Sequence, residues 1–224
     1  MISDNIRSVT QRIATSCKKA GRLPADVKLV CVTKTASISE IEEALNSGVT
    51  LLGENRVQDA VAKHSVIGNR AEWHLIGHLQ TNKAGDAVKI FTLIHSVDSQ
   101  RLALAIDREA AKIGKIQDIL IQVNTSGEES KFGIEPDAAE GLAKEISLYK
   151  NIKIKGLMTI APEVDDPEGV RPYFKALREI RDNLSEALST IHYPLFLSMG
   201  MTGDFEVAIE EGSSMVRVGR AIFN

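Results

Sequence analysis

The chain has 224 residues, 43% of them hydrophobic and 25% charged, with a mean hydropathy of −0.06. That balance excludes a disordered, fibrous or low-complexity chain and is enough to bury a sizeable core. Lys and Arg number 27 against 30 Asp and Glu, a net charge of −3, so the basic excess of a nucleic-acid-binding domain is absent. Cys17 and Cys31 fit no metal spacing and no disulfide framework, which suits a reducing cytoplasm. The N-terminal MISDNIRSVTQR lacks the apolar stretch of a signal peptide, and no run approaches the ~18 apolar residues of a membrane span. The expectation is a cytoplasmic protein with neither membrane nor nucleic acid as partner.

Ile6, Val9, Ile13 and Cys17 recur at intervals of 3, 4 and 4, the apolar stripe of an N-terminal helix within residues 1–21. Ser3 is placed to cap its start and Gly21 its stop. A repeated unit of short apolar strand, polar turn and helix follows. The predicted strands are Lys28–Thr33, Thr50–Gly53, Trp73–Gly77, Thr92–Val97, Ile119–Asn124, Ile152–Thr159, Pro194–Ser198 and Met215–Val218. Ser39-Glu40-Ile41-Glu42 reads as a capping box opening a helix that stops at Gly48. Asp98 precedes a helix carrying Leu102, Ile106 and Ile113, closed by Gly114. Pro136 suits the first turn of a helix bearing Leu142 and Ile146. Tyr173, Leu177, Ile180, Leu184 and Leu188 mark the longest helix, and Asp204 opens a short one ending at Gly212.

Strict alternation of apolar strands and helices predicts an α/β protein whose parallel sheet is covered by helices. Eight such units favour closure into a single (β/α)8 TIM barrel, residues 1–224 forming one domain with an extra N-terminal helix. The rival is a doubly wound open sheet, which usually has fewer strands and a glycine-rich first turn. Here that turn is Lys34-Thr35-Ala36-Ser37, without glycine.

Active residues of such a barrel lie at the C-terminal ends of the strands. Lys34 closes the run Leu29-Val30-Cys31-Val32, which predicts a partly desolvated amine with a lowered pKa, suited to condensing with a carbonyl. The structural alternative is a rim lysine that reaches solvent or pairs with Glu54. After the seventh strand, Ser198-Met199-Gly200-Met201-Thr202-Gly203-Asp204 offers hydroxyls, glycines and a helix start. Arg217-Val218-Gly219-Arg220 follows on the next strand. Backbone N–H groups and hydroxyls at this corner of a barrel suit a phosphate, although a glycine-rich turn with a structural arginine is also common. Period two sends Arg217 and Gly219 the same way, and a glycine there leaves room for a ligand. An amine facing a phosphate cradle across the mouth fits a ligand carrying both aldehyde and phosphate, and pyridoxal 5′-phosphate is such a molecule.

Other residues point to structure rather than chemistry. His74 and His78 lie four apart but in strand context, with no glutamate between them, so a zinc-protease helix is excluded. Cys31 in mid-strand reads as a small buried hydrophobe. Glu128-Glu129 and Asp165-Asp166 read as solvated loop carboxylates, and Trp73 as core.

These segments resemble the pyridoxal phosphate homeostasis protein family, which is alanine racemase N-terminal-domain-like. The match spans nearly the whole chain. It includes Val32-Thr33-Lys34-Thr35, the run from Gly53 to Gln58, the run from Trp73 to Lys83, and the run from Gln122 to Glu128. It continues with Gly156-Leu157-Met158-Thr159, the run from Leu197 to Asp204, and Val216-Arg217-Val218-Gly219. The resemblance implies that Lys34 holds the cofactor as a Schiff base. It implies that Ser198, Thr202 and the backbone around Gly219 and Arg220 hold the phosphate, that Arg217 lies near the pyridine nitrogen, and that Asn55 is a ring or supporting contact. His78 stands where many relatives have proline, and Thr202 where serine is common. Racemases of this fold carry a second domain that supplies a tyrosine base, whereas this sequence ends at Asn224, soon after the eighth strand. Tyr149, Tyr173 and Tyr193 fall at no predicted strand end. The resemblance therefore implies a cofactor-binding protein without catalysis, expected to be a monomer, that buffers the cofactor or delivers it to pyridoxal-phosphate-dependent apoenzymes. The alternatives are a racemase or related enzyme on small amino acids, and a sugar-phosphate barrel using Lys34 as an aldolase-type amine. Lys83 and Lys131 are reserve amines, and no metal is expected.

Overall fold

The structure, a computed structural model, describes the backbone of residues 1–187 and 195–224 and the side chains of 1–184 and 195–224. Leu188, Tyr193 and Pro194, which figure in the expectations above, lie outside the described residues. The eight predicted strands are present, as β1 (Lys28–Val32), β2 (Leu51–Glu54), β3 (Glu72–Leu75), β4 (Leu93–Val97), β5 (Gln117–Gln122), β6 (Ile152–Met158), β7 (Phe196–Ser198) and β8 (Met215–Val218). All neighbours pair in parallel in chain order, and β8 returns to β1 through Lys28↔Met215 and Leu29↔Val216, closing the barrel.

Helices follow the strands in turn: α2 (Ile38–Asn46), α3 (Val57–Ile67), α4 (Ala84–Ile90), α5 (Gln100–Lys112), α6 (Ala139–Ile146), α7 (Arg171–Ala187), α8 (Phe205–Glu210) and the single turn α9 (Arg220–Phe223). The larger core lies between this outer ring and the sheet. The smaller one, inside the barrel, holds Val30, Val32, Ile76, Leu93, Leu120, Met158 and Met215.

The N-terminal helix α1 (Ile2–Lys19) buries the predicted stripe Ile6, Val9, Ile13 and Cys17. It lies across the outside of the seam between first and last units. There Asn5 Nδ2 donates to the Ile222 carbonyl at 2.9 Å and Arg12 pairs with Glu206 at 2.6 Å. At its end Arg22 N–H returns to Cys17 O and Gly21 N–H to Lys18 O, with Gly21 at φ +67. These two hydrogen bonds satisfy the Cys17 and Lys18 carbonyls, and the left-handed glycine makes them possible.

Several local expectations are corrected. Met1, not Ser3, is the N-cap of α1, and it makes no side-chain cap. The capping box is Ser37 with Glu40: Ser37 Oγ accepts from Glu40 N–H, and Glu40 Oε2 accepts from Ser37 N–H at 2.7 Å. As expected, Asp98 precedes α5, and Ser99 caps it, accepting from Leu102 N–H at 3.3 Å. Ile113 lies beyond the end of α5 and is exposed, because the helix ends at Lys112.

One turn is held by sterics as well as hydrogen bonds. Gly200 has φ +94, and a Cβ there would lie 2.6 Å from the Ala208 Cβ of α8. Gly200→Ala therefore combines a left-handed backbone with an overlap, and we expect it to cost about 2 kcal/mol or more, read by urea unfolding.

Candidate functional site

The period of two decides which side chains reach the mouth of the barrel. Val30 and Val32 face inward, and Lys34 continues their phase. A Cβ on Gly53 would meet Val30 and Ile76 of the inner core, so Gly53 faces inward and Asn55 follows it. Met215 is inward, and Arg217 and Gly219 stay in register with it. These four residues converge on a cavity of about 560 Å³ at the C-terminal rim, which Thr202, Gly203, Asp204 and Arg220 also line. Its further wall comes from the loop after β6, including Ala161 and Val164, and from Lys131. Ser198 is the one predicted site residue that does not line it. Of the reserve amines, Lys131 shares this cavity, while Lys83 lines a neighbouring one of about 530 Å³.

Lys34 differs from expectation. The strand ends at Val32, and Lys34 sits two residues further on in a turn, exposed rather than desolvated. It does not pair with Glu54, whose buried carboxylate is taken by Lys63 Nζ at 2.7 Å and Thr33 Oγ1 at 2.6 Å. Among the described residues nothing hydrogen-bonds or ion-pairs with the Lys34 amine. Gly219 also has a packing role, because a Cβ there would approach the Val32 carbonyl to 3.0 Å. The turn after β7 is braced by Asp204, whose carboxylate accepts from Met201 N–H while Phe205 N–H bonds Met201 O at 2.9 Å. Burial raises the Asp204 pKa, against that hydrogen bond and the Arg217 charge.

Arg217 is only 4% exposed. Burial lowers its pKa to about 10, opposed by Asp204, so it stays charged at neutral pH. Its Nη2 donates to Thr159 O at 2.8 Å and its Nη1 to Ser198 Oγ at 2.6 Å. Ser198 Oγ is also 2.9 Å from His95 Nδ1, and His95 Nε2 is 3.1 Å from His74 Nδ1. Arginine can only donate, so the Ser198 hydrogen goes to His95 Nδ1, its other described partner. His95 then carries its proton on Nε2 and donates to His74 Nδ1, and His74 is protonated on Nε2. This assignment gives the Ser198 hydroxyl and the His95 Nε2–H each an acceptor.

Sequence reasoning passed over His95. Its signal was position: two residues after the inward Leu93, a histidine had to face the barrel interior. The same buried network reaches Thr159, whose Oγ1 donates to Val123 O at 2.8 Å. Cys31 is fully buried as expected, its thiol pushed up to about 12 by that burial. His78 stays at the rim, stacked on Phe132 with ring centroids 4.0 Å apart and 3.7 Å from Asp98. No group of His, Cys, Asp and Glu among the described residues is arranged to hold a metal.

Burial and the Lys28 charge hold His74 at about 4, against 6.5 for a free histidine, and burial drives His95 well down too. Between those values the unfolded chain binds protons that the barrel refuses. Stability should be full above pH 6.5 and drain as pH falls toward 4, by an amount on the order of 3 kcal/mol for His74. Thermal melts across that range test this, and His74→Asn should reduce the slope while the His95 share remains.

The family model for the alanine racemase N-terminal domain matches residues 4–224. The pyridoxal phosphate homeostasis protein of Aquifex aeolicus is 43% identical over 221 residues, covering 98% of this chain and 96% of that protein. That of Vibrio alginolyticus is 39% identical over 227 residues, covering 99% and 96%. PipY of Synechococcus elongatus PCC7942, solved with PLP bound, superposes with a TM-score of 0.86 at 32% identity, covering all of both chains. An alanine racemase of Clostridium difficile shares the fold at 16% identity and TM-score 0.71, with 95% of this chain covering 55% of it. With its closed barrel and lysine-bearing rim, the chain belongs to the alanine racemase N-terminal-domain family, among the pyridoxal phosphate homeostasis proteins.

Proposed function

We propose that this protein binds pyridoxal 5′-phosphate and serves its homeostasis, buffering or delivering the cofactor rather than turning over a substrate. The observation that carries this reading is the donor set of the cavity. It joins a free, exposed lysine amine, a buried guanidinium, a hydroxyl and two glycines on one rim.

The residues fit the cofactor. Four cationic side chains line the cavity (Lys34, Lys131, Arg217, Arg220) against two acidic ones (Glu163, Asp204), which suits a phosphate ester of about two negative charges. Asn55 Oδ1 is buried there with no partner among the described residues, an acceptor suited to a donor such as a ring hydroxyl. When bound, the cofactor supplies an aldehyde, which condenses with a primary amine with loss of water. Lys34 is the amine we assign to that bond. Thr202, with the backbone at Gly203, Gly219 and Arg220, is assigned to the phosphate, and Arg217 to the ring nitrogen. Because arginine only donates, it leaves that nitrogen unprotonated and the ring a weak electron sink. Ser198 acts through Arg217, since its hydroxyl is already engaged beneath the cavity.

The absence of turnover rests on chemistry as well as on the naming of the relatives. Racemisation needs proton-transfer groups on both faces of the substrate carbon. None of the described cavity-lining residues is a tyrosine. Tyr149 and Tyr173 are half-buried against the core between sheet and helices. The same reading makes the protein a cytoplasmic monomer of one domain, with pyridoxal-phosphate-dependent apoenzymes as recipients. Among the described residues no helix is long and apolar enough to cross a membrane.

Purified protein mixed with pyridoxal phosphate should develop a lysine-linked chromophore that borohydride fixes to the peptide containing Lys34. Lys34→Ala should abolish it, while label recovered on Lys131 would overturn the assignment. Deuterium should enter the α-position of alanine no faster than with free cofactor; faster exchange would establish an enzyme instead.

A further inference from the structure

Among the described residues the amine of Lys34 has no partner, whereas the residue before it has several. Thr33 is fully buried. Its N–H donates to Gly53 O at 3.0 Å and its Oγ1 to Glu54 Oε1 at 2.6 Å. Its carbonyl accepts from two sides: Ala36 N–H at 3.0 Å and the Nζ of Lys63. The first of these bonds closes a β-turn, Thr33 to Ala36, in which Lys34 is the second residue. The second comes from another element, because Lys63 lies in α3. The same ammonium sits 2.7 Å from Glu54 Oε1 at the end of β2.

As a stability device this arrangement is poor. Glu54 is fully buried and its Oε2 has no hydrogen-bond partner among the described residues, while the Lys63 side chain is 14% exposed. Withdrawing two charges from water costs several kcal/mol, and a well-packed apolar pair commonly does as well or better. What such a pair can supply is a fixed geometry. Both lone pairs of the Thr33 carbonyl are occupied, so the Thr33–Lys34 peptide is held in one orientation.

We propose that Lys63 and Glu54 are positioning residues for Lys34: the ammonium of Lys63, held by the buried Glu54 carboxylate, locks the turn that presents the Lys34 amine to the cavity. This rests on the assignment of Lys34 as the cofactor-bonding amine and deepens it. The clamp acts on the backbone alone. It leaves the amine uncommitted while removing backbone freedom that would otherwise be lost when the cofactor is captured.

The test combines capture kinetics with a measurement that needs no cofactor. Glu54→Gln/Lys63→Met removes both charges together and strands neither. We expect it to melt close to the wild-type protein yet capture pyridoxal phosphate about tenfold more slowly, judged by stopped-flow growth of the lysine-linked chromophore. Lys63→Arg, which keeps a cationic donor, should recover most of the rate. Wild-type capture kinetics in the double variant would overturn the proposal.

Amide hydrogen exchange of the cofactor-free protein gives the second readout, in Lys63→Met alone. Ala36 N–H should lose protection as its turn loosens, and unchanged protection there would equally overturn the proposal. If borohydride instead placed the cofactor on a different lysine, the assignment of Lys34 would fail, and loss of Ala36 protection would still report the clamp.

Discussion

A guanidinium cannot shed its charge inside a barrel at neutral pH, even one whose pKa burial has lowered to about 10. Arg217 therefore obliges the barrel to surround it with acceptors, since an unpaired buried charge costs far more than any single contact returns. Thr159 gives a carbonyl and Ser198 a hydroxyl oxygen, and Asp204 contributes an opposing charge. Satisfying Ser198 in turn requires an acceptor for its own hydrogen, which makes His95 neutral, and His95 then makes the same demand of His74. One arginine on β8 thus dictates the protonation of side chains on β7, β4 and β3. The inner core cannot be wholly apolar as in the usual layered barrel filling. Its apolar half, built from Val30, Leu120 and Met215 among others, lies beside a polar half made by this chain.

The fold was legible because its signals are periodic. Alternation along Met215-Val216-Arg217-Val218-Gly219 put Arg217 and Gly219 on the inner face, and the phase of Val30 and Val32 carried Lys34 there too. What failed was local. Ser37-x-x-Glu40 and Ser39-x-x-Glu42 both satisfy the capping-box spacing, and the helix uses the first. An apolar run that ends in a lysine looks like a strand reaching that lysine. Here Thr33 ends it sooner, because its carbonyl closes a turn instead of joining the sheet ladder.

The polar partnerships were not legible at all, and sequence distance explains why. His74 and His95 are 21 residues apart, and His95 and Ser198 are 103 apart. Closure of the sheet brings them together, and nothing in either neighbourhood announces the other. Ser198 shows the consequence. Its glycine-rich surroundings point to a phosphate, yet a hydroxyl that Arg217 and His95 have already claimed is spoken for before a ligand arrives. Lys63 and Glu54 are only nine apart, but across a βα turn their side chains meet through the strand before, where no helical or strand periodicity looks.

Three parts of the cavity wall share one design: each is fastened from behind. Arg217 is gripped by Thr159 and Ser198, the turn carrying Thr202 by Asp204, and Lys34 by the two bonds on the Thr33 carbonyl. On the proposed reading, fastening the backs lowers the ordering cost of binding, so affinity rises without any added contact to the ligand. With Lys34 assigned as proposed, the bond between amine and aldehyde is reversible by its own chemistry, since water returns the two groups. An enzyme of this chemistry needs further groups poised to move protons on the ligand. On the proposed reading, a protein that holds and gives up a reactive aldehyde needs the capture group alone, and the exposed amine of Lys34 suits that role.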